Sequence, residues 1–116
     1  IVALAGPTTA ARCEMHQLLE LCEGRELIVA VLREAESVGC AMGISLDDGL
    51  CDRTMAYIDG YARDLHASMY TDLERGNPLE LEALNGAVVR LGVRAGVPTP
   101  VNQCIYALLK PYLAGL

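Results

Sequence analysis

The chain has 116 residues, 15 acidic against nine basic, a formal charge of −6 and 53% hydrophobic residues. Length allows one domain and argues against two, and the composition is that of a packed globular domain, not of an acidic disordered tail. The acidic balance counts against nucleic acid and anionic membranes as partners, and the longest aliphatic run, Leu27 to Leu32, is far below the ~20 residues of a membrane span.

In chain order the pattern is helical almost throughout, with no period-2 alternation between hairpin turns. Ile1 to Ala5 reads as the tail of a helix stopped by Gly6-Pro7. Thr8 or Thr9 is expected to cap a short helix through about His16. A long helix follows from Glu23 to Met42, with Leu27, Val31, Ala35 (or Glu34) and Val38 on one face, ended by Gly43. Ser45 is expected to cap the next helix, with Asp47 and Asp48 in its first turn, continuing through Met55, Ile58 and Tyr61. Another helix spans Leu65 to Glu74 and ends at Gly76. Asn77-Pro78 opens a helix to Ala95, stopped by Gly96, and Thr99-Pro100 opens a last one through about Leu113. Six or so helices with short connections predict an all-α, multi-helix bundle.

The chain opens on Ile1 with no charged n-region, which reads as a segment of a longer protein and not as a signal peptide. Cys13, Cys22, Cys40, Cys51 and Cys104 form no C-x-x-C pair, so no zinc ribbon or thioredoxin-type site is expected. Cys13, Cys22 and Cys40, among aliphatic residues, read as small core residues of a reduced, cytoplasmic protein. His16 and His66 fit no metal-ligand spacing, and no metal site is expected. The eleven glycines form neither G-x-G-x-x-G nor a Walker loop, so the chain holds no dinucleotide by itself. Gly39-x-x-x-Gly43 and Gly92-x-x-x-Gly96 read as close helix packing or helix ends.

Glu80 is the candidate with chemistry. If Leu81, Leu84, Val88, Leu91 and Ala95 define the buried stripe of one helix, ~100° per residue puts Glu80 about 60° from its centre and Glu82 about 140° away, facing solvent. Glu80 would then stand at the packed edge, near the helix N-terminus, where a carboxylate can be aimed into a cleft. Asn77 as N-cap would equally make Glu80 a capping-box glutamate with no function. Ser68 reads by default as a solvated or back-bonded helix serine.

The run from Ala67 to Pro111 carries Ser68-Met69, an acidic helix and turn, Leu79-Glu80-Leu81-Glu82-Ala83-Leu84-Asn85-Gly86, and Gly96-Val97-Pro98-Thr99-Pro100-Val101-Asn102, in order and without gaps. It resembles the carboxy-terminal domain of the ketopantoate reductase (2-dehydropantoate 2-reductase) family, whose fold is that of the C-terminal domains of 6-phosphogluconate dehydrogenase-like reductases. The earlier stretches Ala3-Leu4-Ala5-Gly6 and Ala41-Met42-Gly43-Ile44 fit the pattern more loosely. The resemblance implies that residues 1–116 are the helical domain of a reductase whose own amino-terminal Rossmann domain, outside this chain, holds most of the NADPH. The 2-keto acid, ketopantoate, would sit between the two. It further implies that Glu80 is the active-site glutamate, beside both substrate and cofactor ribose, and that Ser68 hydrogen-bonds the substrate. The family's general acid is a lysine on the helix before this chain. Lys110, the single lysine here, cannot take its place, so the chain alone is expected to be inactive. Leu79, Glu82 and Ala67 replace the family's usual threonine, aspartate and serine. A related NADPH-dependent 2-keto acid reductase and a non-enzymatic helical interaction or dimerisation module are the alternatives, and the amphipathic helices leave a homodimer open.

Overall fold

In the computed structural model, which describes residues 1–115, the described residues form seven α-helices and no strand, the all-α bundle that helical periodicity predicts. The helices are α1 (Val2–Ala11), α2 (Met15–Leu19), α3 (Cys22–Ala41), α4 (Leu50–Tyr61), α5 (Ser68–Arg75), α6 (Asn85–Ala95) and α7 (Pro100–Leu109), with 3-10 turns at Leu81–Ala83 and Lys110–Tyr112. No helix among them is long and apolar enough to cross a membrane.

α1 is the central element and packs against α3, α5 and α7. It does not stop at Gly6-Pro7. Pro7 removes one N–H and its hydrogen bond, a local cost that burial of Ala3, Ala5, Gly6, Pro7, Thr8 and Thr9 outweighs. Neither threonine caps a helix. The Thr8 hydroxyl donates back to the Leu4 carbonyl at 2.5 Å, and Thr9 is fully buried. α1 ends instead at Arg12, in the left-handed region (φ 57°), and the short α2 replaces the helix expected to reach His16.

α3 turns Val31 and Val38 inward, as its spacing predicts, with Ile28 fully buried in place of the expected Leu27, and Leu27 and Ala35 only half-buried. Cys22 and Cys40 lie on its solvent side and Cys13 is half-buried. Cys51 of α4 is the buried thiol, so Cys22 and Cys40 are not the core residues expected. Ser45 caps nothing: α4 starts five residues later, after Gly49 (φ 77°), and Asp47 instead pairs with Arg53 at 3.1 Å. Gly76 and Gly96 end α5 and α6 as predicted.

Two apolar clusters form the core. One joins Ala5, Val31, Ala67, Met69, Leu73, Leu79, Leu81, Ile105 and Leu109, and so binds α1, α3, α5 and α7 to the segment before α6. The other joins Ala3, Met15, Leu18, Ile28, Cys51, Met55 and Ile58 across α1 to α4.

Candidate functional site

The single helix expected from Pro78 to Ala95 is broken, and the break decides where Glu80 stands. The Asn77 N–H donates to the Asp72 carbonyl (2.8 Å), continuing the wrap of α5, and the Leu79 N–H donates to the Leu113 carbonyl (3.0 Å). Leu79 and Leu81 are both buried. Residues two apart on a helix point about 200° apart, so one helix face could not bury both. The segment before Leu81 is irregular instead, and Glu80 (φ −80°, ψ 29°) is exposed between them, leading into the 3-10 turn. It is neither a capping-box glutamate nor a residue on the edge of a helical stripe. Its backbone is pinned by two buried leucines while its carboxylate meets solvent.

Ser68 repeats this arrangement. It is the first residue of α5, exposed, between buried Ala67 and Met69. No side chain caps α5 at Ala67, so the first N–H groups of the helix share the Ser68 end. No hydrogen bond brings Ser68 and Glu80 together among the described residues. What they share is their anchorage: Ala67, Met69, Leu79 and Leu81 all belong to one core cluster.

Glu82, expected to face solvent, is the centre of a network. Its carboxylate accepts from the Tyr106 hydroxyl at 2.5 Å, from Lys110 Nζ at 3.1 Å and from Arg90, whose other guanidinium nitrogen donates to the Glu82 carbonyl at 2.6 Å. The Tyr106 and Lys110 hydrogen bonds hold the Glu82 carboxyl below the usual glutamate range, and Lys110 is raised by the hydrogen bond it donates to the Tyr106 hydroxyl (2.5 Å) and by the one to Glu82. The single lysine is thus held at the α6–α7 face by a carboxylate and a phenol.

A second polar group lies inside the bundle. The Glu34 carboxylate accepts from the backbone N–H of Val101 and of Asn102 and from Asn102 Nδ2, each at 2.9 Å, and so caps α7 from α3. Asn102 and Asn85 are fully buried, and Asn85 Nδ2 donates to Asn102 Oδ1 at 2.9 Å. Asn85 also lies against Gly6, where a Cβ would come within 2.3 Å of its Oδ1. The helical period allowed Glu34 on the inward face of α3, but nothing in one sequence marks which helix it caps. Asn85-Gly86, which a single helix from Pro78 to Ala95 would place mid-helix, is the start of α6.

No group of three His, Cys, Asp or Glu side chains gathers as a metal set among the described residues. With no strand among them, the glycine-rich strand-to-helix turn that cradles a dinucleotide pyrophosphate has no counterpart here. Glu80 is an exposed carboxylate acceptor.

A family model described as the ketopantoate reductase PanE/ApbA C terminal matches residues 1–113. A 2-dehydropantoate 2-reductase of Mesorhizobium japonicum is 34% identical over 111 residues, covering 95% of this chain and 31% of that protein. One of Vibrio cholerae is 33% identical over 105 residues, covering 90% and 35%. Among solved structures, a dimeric ketopantoate reductase from Staphylococcus aureus superposes with a TM-score of 0.87 at 27% identity, covering 97% of this chain and 39% of that one. The chain spans about a third of the length of the curated relatives it matches.

Proposed function

We propose, because this chain belongs to the ketopantoate reductase C-terminal family, that it is the helical, substrate-side domain of an NADPH-dependent 2-dehydropantoate 2-reductase. Residues 1–116 make up that domain, and a Rossmann domain outside them holds most of the cofactor. The observation that supports this reading is the like placement of Ser68 and Glu80, each exposed between buried residues of one core cluster.

NADPH, when bound, supplies the hydride that reduces the C2 carbonyl of ketopantoate. Reduction builds negative charge on the carbonyl oxygen, which needs fixed polar groups and a proton donor. Ser68 hydrogen-bonds the substrate from the uncapped end of α5. Glu80 accepts from hydroxyl groups of the substrate and of the cofactor ribose, and so sets their orientation. Lys110 is not assigned as the acid, because Glu82 and Tyr106 already engage its ammonium group. The donor comes from residues outside this chain, and the chain alone has no reductase activity.

The test is NADPH oxidation by the full-length protein with ketopantoate, beside Glu80→Gln, Ser68→Ala, the isolated chain and a panel of other 2-keto acids. Ketopantoate-dependent oxidation that falls about 100-fold in Glu80→Gln is the expected result. Turnover of another 2-keto acid alone would move the specificity, and failure to bind NADPH would overturn the reading. Light scattering on the same sample tests for a homodimer, as in the dimeric Staphylococcus aureus enzyme.

A further inference from the structure

Ser68 starts a helix that no side chain caps, yet the residues on either side of it are tied down. His66, two positions before, places Nδ1 3.0 and 3.2 Å from the two carboxylate oxygens of Glu14 and Nε2 2.6 Å from the Thr71 hydroxyl. Tyr70, two positions after, donates its hydroxyl to the Arg12 carbonyl at 2.9 Å. The two rings stack with centroids 6.0 Å apart. Both ties end on the corner between α1 and α2, residues 12–14. That corner is itself fixed: Arg12 sits in the left-handed region (φ 57°), and the Glu14 N–H donates to Gln17 Oε1 at 2.8 Å.

From this geometry we propose that the α1–α2 corner, acting through His66 and Tyr70, positions Ser68 for substrate. The inference rests on the role given to Ser68 above. Burial of Ala67 and Met69 sets how deep the start of α5 lies, and the ties at 66 and 70 set its rotation about that anchor. A carboxylate only accepts, so Nδ1 carries a hydrogen toward Glu14. Nε2 accepts from Thr71 in the neutral ring and donates to it in the charged ring, so both contacts persist in either state. The His66 and Glu14 side chains are 48% and 37% exposed, where an ion pair adds little to stability. Register, not stability, is therefore what the pair contributes. His66 is a positioning residue, separated from substrate by Ser68.

The experiment uses the full-length protein, its kinetics with NADPH and ketopantoate, and amide hydrogen exchange. His66→Ala is expected to raise KM about tenfold while kcat changes by less than about threefold. His66→Asn, whose amide can donate to Glu14 from the Nδ1 position, restores most of the loss. The His66→Ala/Ser68→Ala double variant is no worse than Ser68→Ala alone, because one acts through the other. In His66→Ala, amides of the first turn of α5 exchange about tenfold faster while those of α3 do not change. An unchanged KM, effects that multiply in the double variant, unchanged exchange in α5, or faster exchange throughout would each overturn the proposal. A wild-type protein inert toward ketopantoate would remove the functional reading, and the exchange measurement would then decide the positioning device alone.

Discussion

The seam between α3, α6 and α7 and the rim formed by Ser68 and Glu80 treat polar side chains in opposite ways. In the seam, Glu34, Asn102 and Asn85 are withdrawn from bulk water and bonded to one another or to backbone. On the rim the backbone is anchored by buried neighbours, and the side chains are left exposed. The seam uses polarity to specify one packing; on the rim it stays accessible to solvent. A buried polar group left without its partner costs far more than an exposed one, so the two regions respond differently to the same kind of substitution.

The largest expected effect is on the seam. Glu34→Ala strips three N–H donors of their acceptor and should lower unfolding stability by about 3 kcal/mol, read as a drop in the urea midpoint. Gly6→Ala follows at about 2 kcal/mol, because its methyl would meet Asn85 and displace it from Asn102. Glu82→Gln, on the half-exposed α6–α7 face, should have a smaller effect that depends on pH. The Glu82 carboxyl titrates lower in the folded protein than in the unfolded chain, so its stabilisation is complete above the ordinary value of 4.5. It vanishes as pH falls through the depressed folded value. The wild-type and Glu82→Gln stability curves should therefore separate near neutrality and converge in acid. Glu80→Gln should change stability by less than about 0.5 kcal/mol while removing most of the reductase activity of the full-length protein. A large loss of stability in Glu80→Gln would erase the distinction between rim and seam.

The helical class, the inward face of α3 and the ends of α5 and α6 were legible because each follows from local chemistry: apolar period, or glycine at a left-handed position. Three features were not. Pro7 is a strong local breaker, but it lies in the most buried helix, where packing on several sides outweighs one missing hydrogen bond. Leu81 and Val88 do face the core at helical spacing, yet Leu79 is buried too, through a long-range bond to Leu113 that no local pattern reports. Glu82 was placed in solvent by a wheel drawn on a helix that is not there, and its partners Tyr106 and Lys110 lie more than 20 residues away. Glu80 and Ser68 are candidates through the order of motifs alone; helical period predicts an accessible Glu80, which the structure exposes for a different reason, a break before α6.

The cap that Glu34 provides has a consequence for the order of folding. Its carboxylate meets the N–H groups of Val101 and Asn102 across 67 and 68 residues of chain, so two donors in the first turn of α7 take their acceptor from a distant part of the sequence. Closing so long a loop carries an entropic cost before the contact can form. α7 should consequently lock late, after α3 has docked. Substitutions at Glu34 should then speed unfolding much more than they slow refolding, leaving a chevron shifted almost entirely in its unfolding arm.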